Sequence, residues 1–172
     1  DRQVEVATFA GGCFWCTEAA FKRMEGVVKV TPGYMGGSLD NPTYADVKSG
    51  TSGHAEVVQV EFDTSVISYA KLLDWFFKVH DPTTIDRQGI DEGTQYRSVV
   101  FYHTDRQRAQ AERAKAASQA KFEEPIVTEI APASDFYVAE EEHQSFYERN
   151  PDHPDSIEII GPKLRKVGLA QP

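Results

Sequence analysis

The residues Gly11-Gly12-Cys13-Phe14-Trp15-Cys16 hold the only two cysteines of a 172-residue chain. Two thiols three residues apart have three uses: a redox pair, half of a zinc site, or two inert core side chains. The apolar run Val4 to Phe9 reads as a strand, the glycines break it, and Cys13 to Met24 reads as a helix. Cys13 is therefore expected at a helix N-terminus. There the exposed N–H groups and the dipole favour a thiolate and should lower its pKa below the ~8.5 of a free thiol. Cys16 lies three residues on, on the same helix face, with its Cβ roughly 5–6 Å away. Disulfide geometry accepts Cα atoms about 4.4–6.8 Å apart, so the two sulfurs can be joined with little movement. A zinc half-site needs a second pair of ligands, and no two of His54, His80, His103, His143 and His153 lie three to five residues apart. A redox pair matches best.

The neighbours of the thiols are less easily read. Phe14 and Trp15 put a large apolar surface beside a reactive sulfur, as a pocket for a small apolar group would; the alternative is that both rings face the core. Glu56 falls on the same strand face as Val58, Val60 and Phe62. Buried without a partner, such a carboxyl would keep its proton and serve as a general acid. At the start of its strand it would instead reach solvent, and alternation alone leaves this open. Tyr44, Asp91 and Tyr96 lie in or beside two long loops and alone say nothing. Gly33 to Gly37 lacks the Lys-Ser/Thr ending of a phosphate loop, and proline voids the glycosylation pattern Asn41-Pro42-Thr43. Glu140-Glu141-Glu142 reads as a solvated helix face.

The elements that must position these groups interleave strands and helices. Strands are expected at Val4–Phe9, Val27–Val30, Ala55–Phe62, Tyr96–Tyr102 and Ile126–Ile130. Ser68 should cap a helix bearing Leu72, Leu73, Phe76, Phe77 and His80. Thr104 to Gln107 fits a capping box opening a helix to about Phe122, and Glu140 to Arg149 reads as a short helix. Residues 31–53 and 81–93 should be long ordered loops, which are more often functional than decorative. No repeat or linker divides the chain, so one catalytic domain over residues 1–172 is expected, of class α/β or α+β, with helices packed on one sheet.

Composition excludes several function classes. With 40% hydrophobic and 26% charged residues the chain reads as one soluble globular domain. A chain this size buries roughly 70% of its unfolded surface, enough for a core without staples. No apolar run approaches the roughly 20 residues of a membrane span. A formal charge of −9 argues against nucleic acid or an anionic membrane as partner. The stretch from Asp1 to Gly11 carries no apolar signal-peptide core, so the cytoplasm is the expected compartment, a leader removed before Asp1 being left open.

Several motifs in order resemble one family. Gly12-Cys13-Phe14-Trp15, Gly33-Tyr34-Met35-Gly36-Gly37, Asn41-Pro42-Thr43-Tyr44, Ser49 to Glu56, His80-Asp81-Pro82-Thr83, Arg87 to Ser98, Phe136 to Glu140 and His143-Gln144 resemble type A peptide methionine sulfoxide reductases. The likeness runs from about Cys13 to Asn150, and it implies the repair of one epimer of methionine sulfoxide, the S form. It implies a two-layer sandwich around a mixed sheet, a monomer with neither metal nor organic cofactor, and thioredoxin as electron donor. It also implies Cys13 as nucleophile and Glu56 as acid. Tyr44, Tyr96 and Asp91 would line the oxygen site, and Phe14 and Trp15 the S-methyl pocket. Many members have glycine where this chain has Cys16 and keep a resolving cysteine in the tail; here Gly161 to Pro172 contains none. The likeness to the Gly-Cys-Phe-Trp-Cys subgroup therefore implies that Cys16 resolves. The rival readings are a thioredoxin-like disulfide exchanger and a non-catalytic zinc or partner-binding module.

Overall fold

A computed structural model of the chain describes residues 3–169; both ends of the domain expected over 1–172 lie outside the described residues. The main sheet consists of β1 (Val4–Gly11), β2 (Val27–Met35), β3 (Ala55–Asp63), β6 (Ser98–Tyr102), β7 (Glu129–Pro132) and β8 (Tyr137–Val138). Its order is β7-β6-β1-β3-β2-β8, and all neighbours run antiparallel except β6 and β7. A small hairpin pairs β4 (Arg87–Gln88) with β5 (Asp91–Glu92). The helices are α1 (Phe14–Lys22), α2 (Tyr44–Lys48), α3 (Tyr69–Val79), α4 (Asp105–Ser118), α5 (Phe146–Arg149) and α6 (Gly161–Lys166).

The sheet is covered unequally. Val58, Val60 and Phe62 of β3 face the larger core, which receives α1, α3, α4, α5 and α6 through Phe21, Leu73, Ala111, Phe146 and Leu164. The other face of β3 presents Ala55 and Val57 to a small cluster with Ala10, Met35, Val99 and Phe101, to which no helix contributes. The result is the expected two-layer arrangement around a mixed sheet. It also settles the side on which Glu56 lies: two residues before Val58, it faces the helical layer. Among the described residues no helix is long and apolar enough to cross a membrane.

Several boundaries differ from those read in the sequence. β2 does not end at Val30 but continues through Pro32 and Gly33 to Met35. The glycine there is no turn signal: a Cβ on Gly33 would collide with the Phe136 ring, so its absence admits the crossing of the chain beside β8. The loop of residues 31–53 also contains α2. The strand expected over Ile126–Ile130 starts at Glu129, because the Ile126 and Val127 N–H groups donate instead to Gln119 Oε1 and the Pro82 carbonyl. Residues 94–96 form a 3₁₀ turn before β6. The capping box is displaced: Thr104 Oγ1 accepts from Gln107 N, but Gln107 Oε1 accepts from His103 N. Glu140 to Arg149 is split by Ser145, whose φ of 55° is left-handed, into a 3₁₀ turn and α5.

Behind the Gly11-Gly12 turn lies a polar floor. The buried His80 ring bonds the Phe76 carbonyl through Nδ1 at 2.6 Å and Ser98 Oγ through Nε2 at 2.8 Å. Burial lowers its pKa to about 4, so the ring is neutral. A carbonyl can only accept, which puts the proton on Nδ1 and leaves Nε2 to accept from Ser98. Gly12 has a φ of 91°, and a Cβ there would meet Gln88 Cγ at 2.6 Å. Gln88 in turn grips Asp81 through both its amide oxygen and nitrogen. Gly12→Ala combines left-handed strain with a clash against an anchored side chain, and is expected to destabilise by roughly 1–3 kcal/mol. Denaturant unfolding measures it; an unchanged midpoint would show that Gln88 yields freely.

Candidate active site

The centre of the sheet and the start of α1 meet at one hydrogen bond. Cys13 is the N-cap of α1, with extended backbone and no side-chain cap. Phe14 N–H, the first amide of the helix, donates to Glu56 Oε1 at 3.1 Å. Glu56 is 1% exposed, and its second oxygen, Oε2, is buried without a partner among the described residues. A helix N-terminus favours a carboxylate, yet burial outweighs it: the Glu56 pKa is raised to about 8, chiefly by desolvation, against the lowering by Phe14 N–H. At neutral pH Glu56 is a carboxylic acid whose Oε2 has a proton to give.

The thiols behave as a pair rather than as a single activated cysteine. The Cys13 pKa is raised, first by a hydrogen bond to Cys16, then by burial and by the charge of Glu56. Cys16 is lowered, first by the bond from Cys13, against its own burial. The lowered Cys13 pKa expected from the helix start is thus corrected. Only the Trp15 N–H acts in that direction, and it loses to the proton shared with Cys16. Glu56 is protonated at neutral pH, so its repulsion fades there and the hydrogen bond between the two sulfurs dominates. Cys13 is partly exposed, whereas Cys16 is buried.

Tyr44, Tyr96 and Asp91 converge on this pair. Glu56 and Cys13 both raise the pKa values of Tyr44 and Tyr96, after burial as the main cause, and Asp91 raises both as well. Both phenols are therefore neutral donors, half-buried, and neither hydroxyl has a protein hydrogen-bond partner among the described residues. Each is placed by its backbone. Tyr44 opens α2, whose start is held by a reciprocal capping box between Thr43 and Asp46. Tyr96 lies between Gln95, which donates to the Lys48 carbonyl, and Arg97, which donates to the Gly53 carbonyl. Asp91 sits in the β4–β5 hairpin, its pKa raised by burial and by Asp155.

Phe14 and Trp15 divide the two readings left open for them. Phe14 is wholly buried and packs on Tyr34, Tyr44 and His143 with ring centroids 5.7, 6.3 and 5.5 Å away. It therefore lies beneath Tyr44. Trp15 stays half-buried, stacked on Phe146 at 3.7 Å, and its Nε1 donates to His143 Nδ1 at 3.1 Å.

Sequence reasoning missed four contributors. Glu140, read as part of a solvated helix face, instead accepts from the Tyr34 hydroxyl and from Tyr44 N–H, each at 2.8 Å. Burial alone would raise its pKa; these donors hold it below the usual carboxylate range. Tyr34 is wholly buried and links that carboxylate to the stack beneath Tyr44. Asp155 and Lys163 come from the C-terminal segment, and both act electrostatically on Cys16. The one available signal was Ile160 and Leu164, four residues apart, which mark a helix facing the core. Among the described residues the one group able to offer three metal ligands, Glu140, Glu142 and His143, does not include the cysteines.

A dithiol beside a neutral carboxylic acid and two free phenols, at the edge of an α+β sandwich, defines a thiol-dependent oxidoreductase. Comparison with known proteins places it more closely. The family model described as peptide methionine sulfoxide reductase matches residues 5–168, and the chain belongs to that family. It is 51% identical to the peptide methionine sulfoxide reductase MsrA of Saccharolobus solfataricus, over 95% of this chain and 92% of that one. Reduced Mxr1 from Saccharomyces cerevisiae superposes with a TM-score of 0.84 at 37% identity, covering 88% of each chain. Mxr1 in complex with Trx2 superposes at 0.61 and 29% identity, covering 84% of this chain and 85% of that one.

The raised Glu56 pKa has a signed consequence for stability. An unfolded Glu ionises near 4.3, whereas the folded state keeps its proton to about 8. The stability this group contributes is full below about 4.3 and is lost as pH rises through about 8. Glu56→Gln should flatten that decline in denaturant midpoints measured from pH 5 to 9. An equally steep decline in the variant would assign it to another group.

Proposed function

We propose that the chain reduces methionine-S-sulfoxide, in proteins and as the free amino acid, to methionine. It does so as a single-domain monomer in the cytoplasm, recycled by thioredoxin. The observation that carries this reading is Glu56: a buried carboxylic acid with one oxygen fixed by Phe14 N–H and the other unpartnered. A sulfoxide sulfur is a poor electrophile until its oxygen is protonated or strongly hydrogen-bonded, so the site requires an acid and donors. Glu56 supplies the proton. The neutral hydroxyls of Tyr44 and Tyr96 donate to the developing charge on oxygen, as an oxyanion hole does. Asp91 orients a donor or a water at the rim, and Trp15, with Phe14 beneath Tyr44, bounds the space for the S-methyl group.

Cys13 attacks, and its own proton has a ready acceptor in Cys16. Oxygen passes to Cys13, giving a sulfenic acid and the methionine thioether. Cys16 then attacks that sulfur, water leaves, and a Cys13–Cys16 disulfide forms. A dithiol reductant restores both thiols. The family, the MsrA relatives and the Mxr1–Trx2 complex support methionine sulfoxide reduction and recycling by thioredoxin. Two cysteines kept for redox turnover suit a reducing compartment. A plain disulfide exchanger is not favoured: it has no use for a buried acid or for two unpartnered phenols.

Single-turnover assays on separated sulfoxide epimers test the reading. Wild type should convert only the S form. Glu56→Gln should lose about 10²–10⁴ in methionine formation while staying folded, and the wild-type rate should fall as pH passes about 8. Cys13→Ser should release no methionine. Cys16→Ser should release one equivalent and lose thioredoxin-driven turnover. Equal rates on both epimers, or wild-type turnover by Glu56→Gln, would refute it.

A further inference from the structure

Tyr44 and Tyr96 stand on different loops, and one buried amide joins those loops. Tyr44 opens α2, whose last residue is Lys48, and Tyr96 closes the 3₁₀ turn of residues 94–96. Gln95, the residue before Tyr96, is 4% exposed, and its Nε2 donates to the Lys48 carbonyl at 3.2 Å. The last carbonyls of a helix lack intrahelical partners, so this side chain caps α2 from outside. The other end of α2 is fixed by the Thr43–Asp46 capping box and by Glu140, which accepts from Tyr44 N–H. A helix of five residues is about 7–8 Å long and moves as one piece. A shift at Lys48 is therefore a shift at Tyr44.

The amide of Gln95 has little room to turn. A Cβ on Gly93 would collide with its Oε1, and one on Gly50 would come within 3.7 Å of it, so a glycine from each loop packs against the same oxygen. That oxygen is buried with no hydrogen-bond partner among the described residues. An unmet buried acceptor costs stability, so stability alone does not account for an amide here. What the amide secures is the junction. Thr94 and Arg97 also reach across, to the Gly50 and Gly53 carbonyls, but Thr94 is exposed and Arg97 half-buried. Of the three, only Gln95 is buried.

We propose that Gln95 is a positioning residue for the reduction: its bond to the Lys48 carbonyl sets Tyr96 against α2, and so fixes the spacing of the two hydroxyls that donate to the sulfoxide oxygen. This rests on the reading that both phenols donate to that oxygen. A single donor could adapt to the oxygen wherever the substrate settled. Two donors must be spaced before the substrate arrives, because groups that reorganise during the reaction stabilise developing charge less. Gln95 acts through the backbone of α2 and through its own chain neighbour, without touching the substrate.

The test is a double-mutant cycle on the full chain, read as single-turnover methionine formation from methionine-S-sulfoxide. Gln95→Met keeps the length of the side chain and removes the donor. It should slow the step at saturating substrate by about 10–100-fold and leave the half-saturating concentration within about twofold. In a Tyr96→Phe background the same change should cost less than about twofold, because the hydroxyl that Gln95 positions is gone. An equal loss in both backgrounds would overturn the proposal. Gln95→Glu gives a second readout, since the introduced acid can donate to the Lys48 carbonyl only while it holds its proton. Its rate relative to wild type should approach one as pH is lowered; a ratio that stayed low on acidification would overturn the proposal, even where Gln95→Met failed to fold. If Tyr96→Phe alone turned over like wild type, the reading of the phenols as donors would fail first, and this inference with it.

Discussion

The hydrogen bond from Phe14 N–H to Glu56 Oε1 is the constraint on which the site depends. It joins the middle of the sheet to the first amide of α1, next to Cys13. Two opposing effects meet there. The helix start and its N–H favour a carboxylate, while a position 1% exposed in the helical layer favours the acid. Desolvation wins, but not without limit, and the pKa of about 8 leaves a proton that is held at neutral pH and still transferable. For the acid role proposed for Glu56, a carboxyl of still higher pKa would be harder to ionise, and an exposed one would already have lost its proton. Removing the amide would leave the acid less well aimed and harder to ionise.

The rest of the molecule is arranged to keep that bond dry and oriented. The Gly11-Gly12 turn sets Cys13 at the head of α1, and it rests on neutral His80 and anchored Gln88. On the other side, Glu140 holds Tyr44 by its backbone and Tyr34 by its hydroxyl. The segment bearing Glu140 is itself tied to α1, because the buried Glu18 accepts from Ser145 N–H at 2.9 Å and Lys22 donates to Ser145 Oγ. Four separate stretches of chain thus converge on one helix start. Three of the ties run from a backbone N–H to a glutamate carboxyl: Phe14 to Glu56, Tyr44 to Glu140 and Ser145 to Glu18.

Local signals made part of this legible. Strand alternation around Val58, Val60 and Phe62 put Glu56 on the core face, and the glycine turn put Cys13 at a helix start; both hold. What alternation left open was whether Glu56 stayed buried, since that depends on α1 lying over it, a contact between residues 42 apart in sequence. The same limit explains the Cys13 pKa. The helix start was visible, but the thiol–thiol bond and burial that reverse its effect are set by packing. Glu140 looked like a surface charge because its partners, Tyr34 and Tyr44, lie about a hundred residues earlier. Pro32 and Gly33 read as a loop because composition cannot distinguish a glycine that turns the chain from one that lets Phe136 pass.

The aromatic stack beneath the site explains why the phenols and the acid act together. Phe14 carries the amide that holds Glu56, and its ring packs against Tyr44 and His143, whose centroids are 4.3 Å apart. His143 is neutral, its pKa lowered by burial, and its Nδ1 accepts from Trp15, which can only donate. Its proton is therefore on Nε2, so the imidazole brings no positive charge close to Tyr44. A cation there would favour ionised Glu56 and ionised tyrosines, and the site would lose its acid and its donors at once. Burying that histidine among rings withholds such a charge. Glu56, Tyr44 and Tyr96 are then all neutral at neutral pH, which is the protonation state that the proposed reduction of a sulfoxide requires.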